Sequence, residues 1–313
     1  YPVKADIKAY GAVVKADVVL TDIFANLGFG GNIQAHNPSG NFGAPDVLIN
    51  TDINGNLQKV TADIKELNVN GNVLTGAVSA DLAQSKPFIT ADLQSNLLNL
   101  QTLTAKPQTT AFNFNLVAGA NAAEFVPDTP LDLSALNLVN ADVTADIKQF
   151  TVDSTLSLSN ISLKAILNNG VLSVSPLSLN AGGGNLNGAV SLNANGNFIN
   201  ASLTGKDIVL QKLWAPLAVT NDKNFGIISG GNALVKLNLQ GQGATVRKLV
   251  ESLNGQVITV IGESEIQTGA LRYLTGNFIT QLLNTLKLQK LDKKLELTCA
   301  VVRGDINDGK VTV

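Results

Sequence analysis

The side chains able to do acid–base, nucleophilic or metal chemistry are few and scattered. His36 is the only histidine in 313 residues and stands in the run HNPSG, which reads as a loop. One imidazole cannot make a two- or three-histidine metal shell, and no serine–histidine–acid arrangement is spaced around it. Cys299 is the only cysteine, so the chain holds no internal disulfide. It alternates with Leu297 and Val301, which predicts a small residue buried in an apolar layer rather than a reactive thiol. Gly241-Gln242-Gly243 before a helical pattern has the outline of a phosphate loop. Val246 stands where the third glycine belongs, however, and no GK[ST] follows, so a tight strand-to-helix turn explains it better. Asp305-Ile306-Asn307-Asp308-Gly309 has the composition of a calcium loop without its closing glutamate or its spacing, and reads as a turn. We therefore expect no catalytic residues, no metal, no cofactor, and a protein that is not an enzyme.

What the chain offers in place of reactive groups is alternation. In Val171–Leu203, Leu172 and Val174 alternate with Ser173 and Ser175, and Leu177 and Leu179 with Ser178 and Asn180. Successive strand side chains point to opposite faces, so one face is apolar and the other carries hydroxyls and amides. Pro176 marks a slip of one residue, as does Ser159-Asn160 in the strand through Leu156, Leu158, Ile161 and Leu163.

The pattern repeats. Leu186–Ser191 matches Leu74–Ser79, Phe198–Leu203 matches Phe88–Leu93, and Val143–Lys148 matches Val60–Lys65. The second copy carries an extra segment, about 153–180, that reads as further strands. Such repetition stacks like units along one direction. Helices are expected in only a few places: a short one capped by Asp22 and running to Leu27, a turn or two at Leu97–Leu103, Leu210–Leu217 with Trp214 beneath it, Thr245–Leu253, and Thr275–Leu288. The Gly119–Pro130 stretch is the best boundary, giving regions 1–120 and 131–313, expected to be continuous with each other as one β-body.

Composition supports the same picture. Hydrophobic residues make 45%, charged residues 15%, and mean hydropathy is +0.19, yet no apolar run reaches the ~18 residues of a membrane-spanning helix. Net charge is −2 with no basic cluster, which argues against nucleic acid. Methionine is absent even at position 1, and a strand pattern is still running at Val313. Both lead us to expect a piece of a longer, processed protein, truncated at each end.

The last third resembles a known family. Gly241 and Gly243 open a turn, a helix ends in Ser252-Leu253-Asn254-Gly255, and Cys299-Ala300-Val301 and Ile306-Asn307-Asp308-Gly309 follow. This succession, with the upstream run NNGVLSVSPLSLNAGGGNLNGAVSLN, resembles the C-terminal part of the periplasmic region of AsmA-family proteins. The resemblance covers about 139–313 well and the N-terminal half loosely. The chain departs from the family in being poor in Arg and rich in Asn, and in lacking the N-terminal inner-membrane helix.

The resemblance implies a mainly β fold: an elongated, repetitive, twisted antiparallel sheet curled into a hydrophobic groove, with a few short amphipathic helices. It further implies phospholipid transport between inner and outer membrane, in the manner of bridge-like lipid-transfer proteins. The expected partners are phospholipids, the inner membrane through an anchor missing from this chain, and outer-membrane proteins. The expected place is the periplasm. The groove positions would be Leu156, Leu158, Leu163, Leu172, Val174, Leu177, Leu179, Val190, Leu192, Ile199, Leu203, Val235, Leu237 and Leu239. The competing expectation is a closed scaffold whose apolar faces bury each other, engaging outer-membrane proteins by strand addition at a free edge.

Overall fold

The structure is a computed structural model that describes residues 1–9, 11–38, 45–103, 128–152, 156–209, 227–267 and 294–312. The protein is mainly β, 71% strand, with two short helices. It divides into two compact units, Tyr1–Thr109 with Ser134–Leu177, and Thr110–Leu133 with Ser178–Val313.

The first unit is a ladder of long strands: β1 (Pro2–Ala9), β2 (Ala12–Thr21), β3 (Gly28–Asn37), β4 (Val47–Asn56), β5 (Lys59–Val69), β6 (Asn72–Asp81) and β7 (Phe88–Ser95), each antiparallel to the next. The short β8 (Leu98–Asn99) leads into α1 (Leu100–Leu103), which fulfils the expected helical turn. β9 (Asn140–Thr151) then lies parallel to β7 and β8, and β10 (Ser157–Asn168) returns antiparallel to β9. The ladder is thus mixed. A parallel neighbour needs a long return path, and residues 96–139 provide one.

β11 (Val171–Ala181) contains the division between units. The second unit continues with β12 (Gly184–Asn193), β13 (Phe198–Val209), β14 (Ile227–Gly230), β15 (Asn232–Gln242), α2 (Val246–Glu251), β16 (Asn254–Ile261), β17 (Ser264–Gln267), β18 (Lys294–Leu297), β19 (Ala300–Asn307) and β20 (Lys310–Thr312). Here β12, β13, β15, β16, β19 and β20 pair in that order, all antiparallel. β14, β17 and β18 form a small separate sheet.

The extra segment of the second repeat copy is indeed strand, β10 and most of β11. Both predicted slips coincide with backbone irregularities: Asn160 has φ 49, and Ser175–Pro176 is a cis peptide. Thr245 caps α2 as expected, its Oγ1 accepting the Lys248 N–H at 3.2 Å.

Three local expectations fail. Asp22 starts a turn and not a helix: its carbonyl accepts the Ala25 N–H and its carboxylate the Asn26 N–H. β2 and β3 stay paired up to Thr21 and Gly28, leaving only residues 22–27 for the connection. His36 lies in β3 rather than in a loop, with Nε2 3.2 Å from Asp46 Oδ1. Cys299 is exposed. It stands between β18 and β19, where alternation with its neighbours no longer holds. The expected helix at 275–288, and the segment 210–217 with Trp214, lie outside the described residues.

Candidate apolar binding face

Register decides which side chains share a face. In the second unit, Gly188 of β12 is opposite Leu203, Leu203 opposite Leu237, Leu237 opposite Val257, and Val257 opposite Gly304. One step along, Val190, Ala201, Leu239, Gly255 and Ile306 form a parallel row, and Leu186, Gly205, Val235, Thr259 and Val302 another. Seven of the predicted positions, Val190, Leu192, Ile199, Leu203, Val235, Leu237 and Leu239, therefore lie on one continuous face. All seven are only half-buried. The other face of these strands carries Asn200, Ser202, Lys236, Asn238 and Gln240, all exposed. Ser202 Oγ lies 2.8 Å from Asn238 Oδ1 across it.

The first unit is built the same way. One apolar row crosses it as Ala16, Ile33, Thr51, Ile64, Gly76, Leu93, Ala145 and Leu163. The next row is Val18, Gly31, Ile53, Ala62, Val78, Ala91, Val143 and Ala165. Thr51 is the polar member, and its hydroxyl is satisfied by the Asp63 carbonyl at 3.1 Å. The predicted Leu163 belongs to this face, whereas most of the face lies in the N-terminal half, where no site residues were expected. The signal was present in the sequence as Val60-Ala62-Ile64 against Thr61-Asp63-Lys65.

The remaining predicted positions are placed as follows. Leu172, Val174, Leu177 and Leu179 are half-buried in β11, with Ser173, Ser175 and Pro176 exposed between them. Leu158 is half-buried opposite Phe150. Leu156 is not a strand residue: its carbonyl accepts the Val152 N–H at 2.9 Å just before β10 begins.

A sandwich core would bury such positions completely. Among the described residues, full burial of apolar side chains is restricted to a few places, such as Ile208 at 1% exposed, Ala233, Ile161 and Leu167. The inward faces are therefore apolar and incompletely covered.

The polar face of the first unit is different in kind. Lys4, Asp17, Asn32, Asp52, Asp63, Ala77, Asp92, Thr144 and Lys164 follow one another across it. Lys4 pairs with Asp17 at 3.0 Å, Lys164 with Asp142 at 3.2 Å, and Lys65 with both Asp52 and Asp63. The hydrogen bond that Lys65 donates to Asp63 raises the Lys65 pKa above its ordinary value. A cavity of about 830 Å³ is lined here by Asn32, Asp52, Asp63, Asp92, Asp142 and Thr144, among others. The lining runs along two neighbouring polar rows, through Asn54, Thr61, Ser79 and Thr90 as well, and takes in Gly31, Ile53, Ala62, Val78 and Ala91 of the apolar row between them. Of its carboxylates, Asp52 and Asp63 are exposed and paired with Lys65, Asp142 is half-buried and paired with Lys164, and Asp92 is exposed, an arrangement suited to hydration.

Among the described residues no cluster of three or more His, Cys, Asp or Glu could hold a metal ion, and no helix is long and apolar enough to cross a membrane. A family model described as AsmA family matches residues 42–313. No curated protein and no solved structure matches the chain.

Proposed function

The chain belongs to the AsmA family, and on that premise we propose that it is a non-enzymatic carrier of phospholipids between the inner and outer membranes. Membership in this family fits bridge-like lipid transport or outer-membrane assembly, and the finer assignment to lipid rests on the apolar faces. The observation that carries it is the half-buried condition of Val190, Leu203, Val235, Leu237 and Leu239, which no second layer seals among the described residues. Acyl chains are a chemically fitting cover, since each buried CH₂ contributes ~0.8 kcal/mol without directional bonding. The polar faces, with amides, hydroxyls and paired charges, stay in water. A carrier of this kind works in the periplasm beside the inner membrane, with phospholipid as its cargo.

Native mass spectrometry with lipid extraction tests the reading. Phospholipid co-purifying with the chain, in more than one copy and with mixed headgroups, is the expected result. A folded, monodisperse chain with a clean lipid-free mass overturns it.

A further inference from the structure

Hairpins β2–β3, β4–β5 and β6–β7 turn at one and the same rim of the first unit, each with a paired strand on both sides. The register fixes this: Gly28 is opposite Asn56, Lys59 opposite Asp81, and Asp81 opposite Phe88. Each turn opens on an aspartate or asparagine followed directly by a large apolar residue: Asp22-Ile23-Phe24, Asn56-Leu57 and Asp81-Leu82. Phe24 is 94% exposed, Leu57 72% and Leu82 46%. Leu138, also exposed, stands two residues before Asn140, the parallel partner of Phe88, and extends the row along the rim.

The carboxylate or amide of each turn folds back onto its own backbone. Asp22 accepts the Asn26 N–H at 3.2 Å, Asn56 those of Gln58 and Lys59 at 2.8 and 2.9 Å, and Asp81 that of Ala83 at 3.0 Å. The Leu82 N–H donates to the Gln58 carbonyl at 2.7 Å. These backbone donors have partners inside the rim, so the tips leave water without orphaning them. The repeat separates this device from the apolar residue. In the second copy Asn193 likewise accepts the Asn195 N–H at 2.9 Å, but Ala194 stands in the place of Leu82. The turn itself does not need the leucine.

We propose that this rim seats on a phospholipid bilayer, with Phe24, Leu57, Leu82 and Leu138 entering its interface one by one. Neighbouring tips are two strands apart, ~10 Å, with Asn26, Gln58 and Gln84 among the polar residues between them. A folded protein partner would need a contiguous apolar patch with a buried centre. Separate pegs suit a fluid medium that closes around each side chain. Charge points the same way. Lys59 is exposed beside Leu57, and Lys86 Nζ meets only the neutral amide oxygen of Asn169, at 3.1 Å, among the described residues, which leaves its charge for lipid phosphate. The carboxylates of Asp22 and Asp81 are engaged by their own turns. Docking by the tips is independent of cargo on the apolar faces.

The test is flotation of the purified 313-residue chain with vesicles of phosphatidylethanolamine and phosphatidylglycerol. Binding is expected, and Leu57→Ser together with Leu82→Ser should weaken it about tenfold or more. Lys59→Gln with Lys86→Gln should lower binding to these vesicles and leave binding to phosphatidylcholine vesicles unchanged. In a Cys299→Ser background, an environment-sensitive dye on Leu57→Cys should shift to the blue when vesicles are added. The same dye on Asp92→Cys, on the polar face, should not. Thermal melts first match each variant to the parent chain. A chain that does not float overturns the proposal. So does binding that the leucine variants leave unchanged, a Leu57 dye that stays in water while the chain floats, or a dimer that the leucine variants dissolve. A chain that co-purifies with phospholipid yet ignores vesicles overturns docking and leaves the carrier reading standing.

Discussion

Asn254 and Asp308 hydrogen-bond each other twice: the Asn254 Oδ1 accepts the Asp308 N–H at 3.2 Å, and its Nδ2 donates to Asp308 Oδ1 at 3.4 Å. Beside them the Gly309 N–H donates to the Leu253 carbonyl at 2.9 Å. The SLNG and INDG segments, 54 residues apart, thus close on each other where β16 starts and β19 turns into β20. Gly309 has φ 71, and a Cβ there would stand 2.5 Å from the Val250 carbonyl oxygen, so the turn needs glycine. The motif that carries the family resemblance is here a structural clamp. Asn254→Ala removes both bonds to Asp308 and a third from its Nδ2 to the Ser252 carbonyl at 2.8 Å, and should cost about 1–3 kcal/mol, read as a lower urea midpoint with an unchanged slope.

Leu203 and Leu237 face each other across β13 and β15 on the apolar face. Replacing both with Asp puts two carboxylates where acyl chains would lie, and an ion in an apolar setting is strongly disfavoured. Loss of co-purifying phospholipid with an unchanged far-UV circular dichroism spectrum is expected. Asn200→Asp on the exposed face should keep its lipid. Equal loss in both variants would remove the distinction between faces on which the carrier reading depends.

Gly76 and Gly188 hold the same place in the two repeat copies. Gly76 is opposite Leu93 and Gly188 opposite Leu203. A Cβ on either would stand 2.0 Å from a neighbouring carbonyl oxygen, of Asp92 and Ser202 respectively. Gly76→Ala and Gly188→Ala should each destabilise by about 1–3 kcal/mol. Gly71, where an added Cβ meets nothing within 4 Å, is the comparison for glycine strain alone, since its φ is +85. Thermal melts of the three variants separate clash from conformational strain.

Asp305 accepts hydrogen bonds from Gln256 Nε2 at 3.0 Å and from Arg303 Nε at 3.1 Å. First Gln256 and then Arg303 hold its pKa below the ordinary carboxylate value. A carboxyl whose folded pKa lies below its unfolded one stabilises fully above the unfolded value of ~3.9, and that contribution disappears as pH falls through the folded value. Asp305→Asn should therefore lower stability modestly near neutrality, and the gap to the parent chain should close as pH falls through the acid range. Melting temperatures followed from neutral pH into the acid range below ~4 provide the check.

Much of this was legible in the sequence because period-2 alternation survives wherever one face is apolar. Val190, Leu192, Ile199 and Leu203 could be assigned to one side from spacing alone, and β12–β13 keeps the pairing of β6–β7 as the repeat suggests. Slips at Asn160 and Pro176 announced themselves through the residue type. The parallel step from β7 to β9 could not be read, because strand direction depends on the path of the intervening chain and not on the alternation within either strand. Cys299 was misread since two residues outside a strand, Thr298 and Cys299, suffice to cancel the parity inferred from Leu297. Asn72 was not singled out at all. It is 1% exposed, bonded to Val69 O at 2.9 Å and Thr102 Oγ1 at 2.8 Å, and also accepts the Asn99 N–H. Only the fold that returns α1 to the β5–β6 turn gives that asparagine its partners.

The half-covered faces also govern how the molecule responds to temperature. Residues such as Leu237 and Ile64 keep part of their surface in water while folded, so unfolding wets less new hydrocarbon than it would in a sealed sandwich. The heat-capacity increment scales with that newly wetted area and should fall below the usual ~12–15 cal/mol/K per residue. A smaller increment flattens the stability curve, widening the span of temperatures over which the fold persists and moving cold denaturation further away. An occupant that covers the faces and leaves on unfolding restores the missing increment, so the curvature of calorimetric stability becomes a gauge of how full they are.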